Sequence, residues 1–175
     1  FKKQLASFMY QPDFYAERSS IVARKILGSQ LVFNNQKAII TETEAYEGNN
    51  DPASHAYKGI TKRNKIMFGE PGFAYIYLIY GMHLCLNITT FPCGQPGSVF
   101  IRAILMNDTY INGPGKLTKV LGITMNENGK SLCQDNGFYL TNGISLQINQ
   151  IISLPRIGIT KGNDKLWRFK TKNIL

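Results

Sequence analysis

Hydrophobic and polar positions in this chain follow a period of two more often than a helical period, and the clearest case is Ala38-Ile39-Ile40-Thr41-Glu42-Thr43-Glu44-Ala45-Tyr46. Successive side chains of a strand point to opposite faces, so Glu42, Glu44 and Tyr46 fall on one face and Thr41, Thr43 and Ala45 on the other. Just ahead, Leu31-Val32-Phe33 is a short strand and Asn34-Asn35 a turn, which puts the two acids at the far end of a hairpin. Phe73 to Met82 and His83 to Thr90 form two further strands meeting at a turn near Tyr80-Gly81. Phe73, Tyr75, Tyr77 and Ile79 share one face of the first, while Tyr80 falls on the other, either exposed to a partner or half-buried like most sheet tyrosines. Ser98 to Met106 is another strand, apolar except for Arg102.

Helical signals are fewer. Ser19 or Ser20 serves as N-cap to a helix carrying Ile21, Val22, Ile26 and Leu27, with Gly28 as its stop. Asn112-Gly113-Pro114-Gly115 leads into a second short helix from Lys116 to Gly122, with backbone N–H groups at its start that suit an anion. Glu47 to Gly72, rich in Gly, Asn, Asp, Pro and Lys, is a long irregular loop, and loops of that length are usually functional. Towards the C-terminus, strands are expected around Gly137 to Leu140, Ile144 to Ile152 and Ile157 to Thr160, followed by Leu166-Trp167-Arg168-Phe169.

Composition narrows the classes. At 175 residues and 43% hydrophobic, the chain is long enough for one domain, residues 1–175, with a core that needs no staples. Cys85, Cys93 and Cys133 form no CxxC pair and have only His55 and His83 beside them, so neither a metal nor an organic cofactor is expected, and the thiols are expected reduced. No apolar run nears the ~20 residues of a membrane span and no signal-peptide pattern opens the sequence, so a soluble intracellular protein without a membrane partner is expected. The formal charge of +9 favours a polyanionic partner or else marks a lysine-rich solvated surface; charge alone leaves both open.

Chemistry concentrates on the acidic strand. A guanidinium inside an apolar strand needs a partner, and Glu42 or Glu44 is the obvious one for Arg102. Two carboxylates on one face, about 7 Å apart, repel by on the order of 2 kcal/mol at an effective dielectric of about 20, which is expected to lift Glu44 above the usual carboxylate range.

Taken in order and spacing, Thr41-Glu42-Thr43-Glu44-Ala45-Tyr46, His55, Arg63-Asn64 before Met67-Phe68, Tyr75 to Asn87, Arg102 and Gly113-Pro114-Gly115-Lys116-Leu117 form a linked set. In these motifs the chain resembles the alkyladenine (3-methyladenine) DNA glycosylases shared by mammals and many bacteria, over about residues 18 to 123 and more loosely at Pro155-Arg156-Ile157-Gly158-Ile159. The resemblance implies an α+β domain with a curved, mostly antiparallel sheet, flanking short helices and a protruding β-hairpin. It implies a monofunctional base-excision enzyme that enters damaged duplex DNA from the minor groove, flips out an alkylated or deaminated purine and hydrolyses its glycosidic bond. On that resemblance, Glu44 activates the water, and Arg102 helps position water and phosphate. Tyr46, His55 and Tyr77 enclose the base, and Asn87 disfavours normal guanine. Tyr80 fills the gap left in the duplex, while Met82, Thr61, Arg63 and Lys116 meet the DNA.

Such a protein is expected to act as a monomer, in the nucleoid-associated cytoplasm of a bacterium or in a nucleus. Alkylated purines carry positive charge, which is expected to strengthen stacking on electron-rich rings. Ala103 to Asn112 is shorter than is usual in the family, and the loop from His55 to Met67 is about one residue shorter than in its mammalian members, so lesion preference is where departures are expected. Two other classes share parts of the pattern: a non-catalytic nucleic-acid-binding module, which has no use for Glu44, and a small-molecule nucleosidase, which explains neither Tyr80 nor the charge.

Overall fold

The computed structural model describes residues 8–172. The strand built on the acidic stretch is the centre of the molecule. In chain order the strands are β1 (Gln30–Phe33), β2 (Gln36–Glu47), β3 (Ala74–Ile79), β4 (His83–Thr89), β5 (Gly97–Met106), β6 (Thr109–Asn112), β7 (Phe138–Thr141), β8 (Ile151–Leu154) and β9 (Arg168–Thr171). All join one antiparallel sheet whose main path runs β3-β4-β5-β2-β1-β7. β2 has β5 along one edge, while its other edge pairs first with β1 and then, over Glu42 to Glu44, with β9. Covered on both edges and both faces, β2 buries Thr41 to Ala45 without a break, so the polar alternation there does not mark a solvent face.

One face of the curled sheet packs on helices α1 (Pro12–Tyr15), α2 (Ser19–Lys25) and α3 (Pro114–Leu121), with Val22, Ile26, Ile76, Leu86, Ile88, Val99, Ile101, Leu117 and Leu121 in a common core. This is the expected α+β class, with the β3–β4 hairpin protruding: Leu78, Tyr80 and Met82 are all exposed there. The Asn34-Asn35 turn has positive φ at both residues, as a two-residue hairpin requires. Among the described residues no helix is long and apolar enough to cross a membrane.

Several expectations are corrected. The N-cap of α2 is Arg18, not Ser19 or Ser20, and no local side chain caps it. Glu47, at the end of β2, takes that role from a distance by accepting from the Ser20 backbone N–H at 3.3 Å and its hydroxyl at 2.9 Å, while Arg18 binds its other oxygen at 2.9 Å. The negative carboxylate satisfies the free N–H groups and favours the positive helix end. Residues 103–112 close as a β5–β6 hairpin through Asn107 and Asp108, both at positive φ. Ile144 to Ile152 is a strand only from Ile151 onward, after a 3-10 turn at Ile148–Gln150. Ile157 to Thr160 is no strand: Arg156 and Ile157 are bound to β2 and the loop that follows it, and Arg156 also donates to the Gly162 carbonyl.

Candidate active site

The face of the sheet opposite the helices carries the site, and period two assembles it. Tyr75, Tyr77 and Ile79 from β3, Cys85 and Asn87 from β4, Ser98, Phe100 and Arg102 from β5, and Tyr46 from β2 line one cavity of about 370 Å³. The 48–72 loop adds Ala53, His55 and Met67, and Ile157 to Ile159 close another side. That loop is ordered by Asn64, whose side chain donates to the carbonyls of His55 (2.8 Å) and Gly59 (3.0 Å) and accepts from the Thr61 N–H (2.6 Å). His55 then meets the Tyr75 hydroxyl through Nδ1 at 2.9 Å and lies edge-on to Tyr77, ring centres 4.7 Å apart.

Glu44 is fully buried and stands directly behind this lining. Its Oε2 accepts from the Tyr46 hydroxyl at 2.9 Å and from Arg102 Nη1 at 3.3 Å, and its Oε1 accepts from the Ile157 backbone N–H at 2.8 Å. Arg102 also reaches Glu42 through Nε at 3.3 Å, and Arg168 holds the same Glu42 oxygen at 3.1 Å. The register irregularity in the β2–β5 ladder brackets Glu42 and lets both carboxylates meet one guanidinium, as bulges commonly re-aim side chains.

Glu44 is held above the usual carboxylate range by burial; Arg102, the Ile157 N–H, Tyr46 and Arg156 pull the other way without cancelling it. The upward direction agrees with expectation, but its cause differs. Two guanidiniums interleave with the two acids, so desolvation and not acid–acid repulsion sets the shift. Burial also pushes the Tyr46 and Tyr77 phenols up and the Cys85 thiol to about 11, so all three stay protonated near neutral pH. His55 is lowered, first by burial and then by Arg63, and is neutral there.

The candidates named from sequence therefore divide. Tyr46, His55, Tyr77, Asn87 and Arg102 converge on the cavity, Tyr80 stands at its edge, and Glu44 lies immediately behind. Thr61, Arg63, Met82 and Lys116 lie outside the lining, all exposed. Asn87 is fixed by donating to the Tyr75 carbonyl at 3.2 Å.

Sequence reasoning missed Arg156 and Asp51. Arg156 forms a bidentate pair with Asp51 at 2.6 and 2.7 Å, both side chains fully buried, and donates to the carbonyls of Ala45 (2.9 Å) and Gly162 (3.0 Å). Its guanidinium also lies 4.6 Å from the Tyr46 ring centre. The signal was present, a lone cation between Pro155 and Ile157 like Arg102 in its strand, but it sits in the most basic part of the chain and reads there as surface.

A base-sized aromatic cavity with a buried acid, an arginine and an exposed hairpin on a basic protein defines an enzyme class that works on nucleic-acid bases. Comparison with known proteins makes the class specific. The model of the methylpurine-DNA glycosylase (MPG) family matches residues 13–174. A protein of Ehrlichia chaffeensis named "Putative 3-methyladenine DNA glycosylase" is 47% identical over 167 residues, 93% of this chain and 92% of its own length. Namesakes from Ehrlichia ruminantium (48% over 162 residues, 90% and 86%) and Rickettsia conorii (47% over 166 residues, 93% and 89%) are similar to the same extent. The chain belongs to the methylpurine-DNA glycosylase family. It is a DNA glycosylase, and its chemistry belongs to base excision repair.

Proposed function

We propose that this glycosylase binds damaged duplex DNA through the minor groove and flips an alkylated or deaminated purine into the cavity. It then hydrolyses the glycosidic bond with a water activated by Glu44. The observation that carries the reading is the bonding of Glu44 to three cavity-lining residues, Tyr46, Arg102 and Ile157. A carboxylate has about four lone-pair sites; three are used here, and the fourth, on Oε1, can accept a water's O–H. A carboxylate displaced upward by burial is a stronger base once ionised, and its negative charge also favours an oxocarbenium-like sugar.

Recognition of the flipped base rests on stacking against Tyr46, Tyr77 and His55, worth about 1–3 kcal/mol per base in other systems. Tyr80, 89% exposed at the hairpin tip, is the group that fills the vacated stack, and Met82 lies beside it. Lys116 and Thr61 are the exposed polar groups assigned to the DNA backbone. The described lining contains no lysine, and the enzyme is read as monofunctional, with water and not an amine as nucleophile.

Single-turnover release of hypoxanthine or an N-methylpurine from a duplex oligonucleotide tests this. Glu44→Gln is expected to slow release by about 10²–10⁴-fold while keeping affinity for the lesion duplex. Undiminished release would remove Glu44 as the base.

A further inference from the structure

Tyr46 and Tyr77 of the pocket each have a guanidinium against the ring, but the two cations are not equivalent. Behind Tyr46, Arg156 is neutralised by its bidentate pair with Asp51. Against Tyr77, Arg63 lies with its guanidinium carbon 5.0 Å from the ring centre, and none of the ion pairs among the described residues includes it. Tyr77 lines the cavity, so the guanidinium stands close to any base stacked on that ring.

We propose that Arg63 is a specificity-determining residue: its charge against the Tyr77 ring, outside every ion pair among the described residues, disfavours a permanently cationic base in the pocket and tilts preference towards uncharged purine lesions. The inference rests on the glycosylase reading of the pocket. An aromatic ring attracts a cation to its face through its quadrupole, and Arg63 already engages that of Tyr77. A quaternised N-alkylpurine stacked on that ring brings a second positive charge to within about 10 Å of the first. Two like charges at that distance, partly screened by water, disfavour each other by about fivefold in affinity. A hypoxanthine or etheno adduct stacks on the same ring with no such penalty. His55, at the same ring, feels the same cation: Arg63 is the second cause, after burial, of its resistance to protonation.

The test compares release of cationic 7-methylguanine with release of neutral hypoxanthine at subsaturating enzyme, for wild type, Arg63→Gln and Arg63→Lys. Loss of a phosphate contact slows both substrates alike and cancels in the ratio. Arg63→Gln is expected to raise the 7-methylguanine to hypoxanthine ratio about fivefold, and Arg63→Lys, which keeps the charge, to stay near wild type. An unchanged ratio in Arg63→Gln, or equal shifts in both variants, would overturn the proposal. Failure of the wild type to release either base overturns the glycosylase reading itself, and this inference with it.

Discussion

Glu44 shows how a single residue is set against the fold that holds it. Because burial raises its pKa, its ionised form is less favourable in the folded protein than in the unfolded chain. Stability from this group is therefore fully present below the ordinary glutamate value of about 4.3 and is lost as pH rises through the folded value. Glu44→Gln, which carries no charge, is expected to gain in stability relative to wild type between about pH 4 and pH 7. Urea titrations of both proteins at the two pH values check this. If Glu44 is the base, the acid limb of the single-turnover rate falls at the same raised pKa, since release needs the ionised form. Alternation along β2 groups Glu42, Glu44 and Tyr46 on one face, and the family resemblance singles out Glu44 as the candidate acid; its Ile157 partner, 113 residues away, was not legible in the sequence.

The β3–β4 hairpin is the element whose local rules are bent for use. Tyr80 and Gly81 both have positive φ, and Met82 N–H closes the turn on the Ile79 carbonyl at 3.1 Å. Glycine adopts that backbone freely and tyrosine does not. A bulky ring in the left-handed region, 89% exposed, contributes nothing to the core and is retained against its own preference. Tyr80→Asn, better suited to that conformation, is expected to leave the melting temperature unchanged or slightly higher while weakening binding to a lesion duplex about tenfold. Calorimetry and fluorescence anisotropy check the two halves, and unchanged affinity would count against a wedge role. The turn position was readable from Tyr80-Gly81 between two apolar runs. The Asn107-Asp108 hairpin carries a comparable signal, two turn residues at a strand end.

At the scale of the molecule, Arg156 ties together parts of the chain that otherwise meet only at the site. It joins Ala45 on β2, Asp51 in the loop that delivers His55, and Gly162 beyond Ile157. Removing one partner of a buried ion pair strands the other's charge, at a cost of about 3–5 kcal/mol. Arg156→Met is therefore expected to destabilise by about 3 kcal/mol, read as a lower urea midpoint at unchanged slope, whereas Lys116→Met on the exposed face is expected to fall within about 0.5 kcal/mol of wild type.

The sequence by itself determined which residues share a face, because strand alternation is a local property. That was enough to group Glu42 with Glu44 and Tyr46 on β2, and Tyr75 with Tyr77 on β3. It also carried the family, through motifs linked in order along the chain. Only the tertiary structure decided that Glu47 caps α2, that Arg102 and Arg168 hold Glu42, and that Arg156 lies buried on Asp51. Each of these is a contact that a charged group makes with a residue far off in the chain. Their worth depends on how much water the packed sheet excludes, which no local pattern encodes.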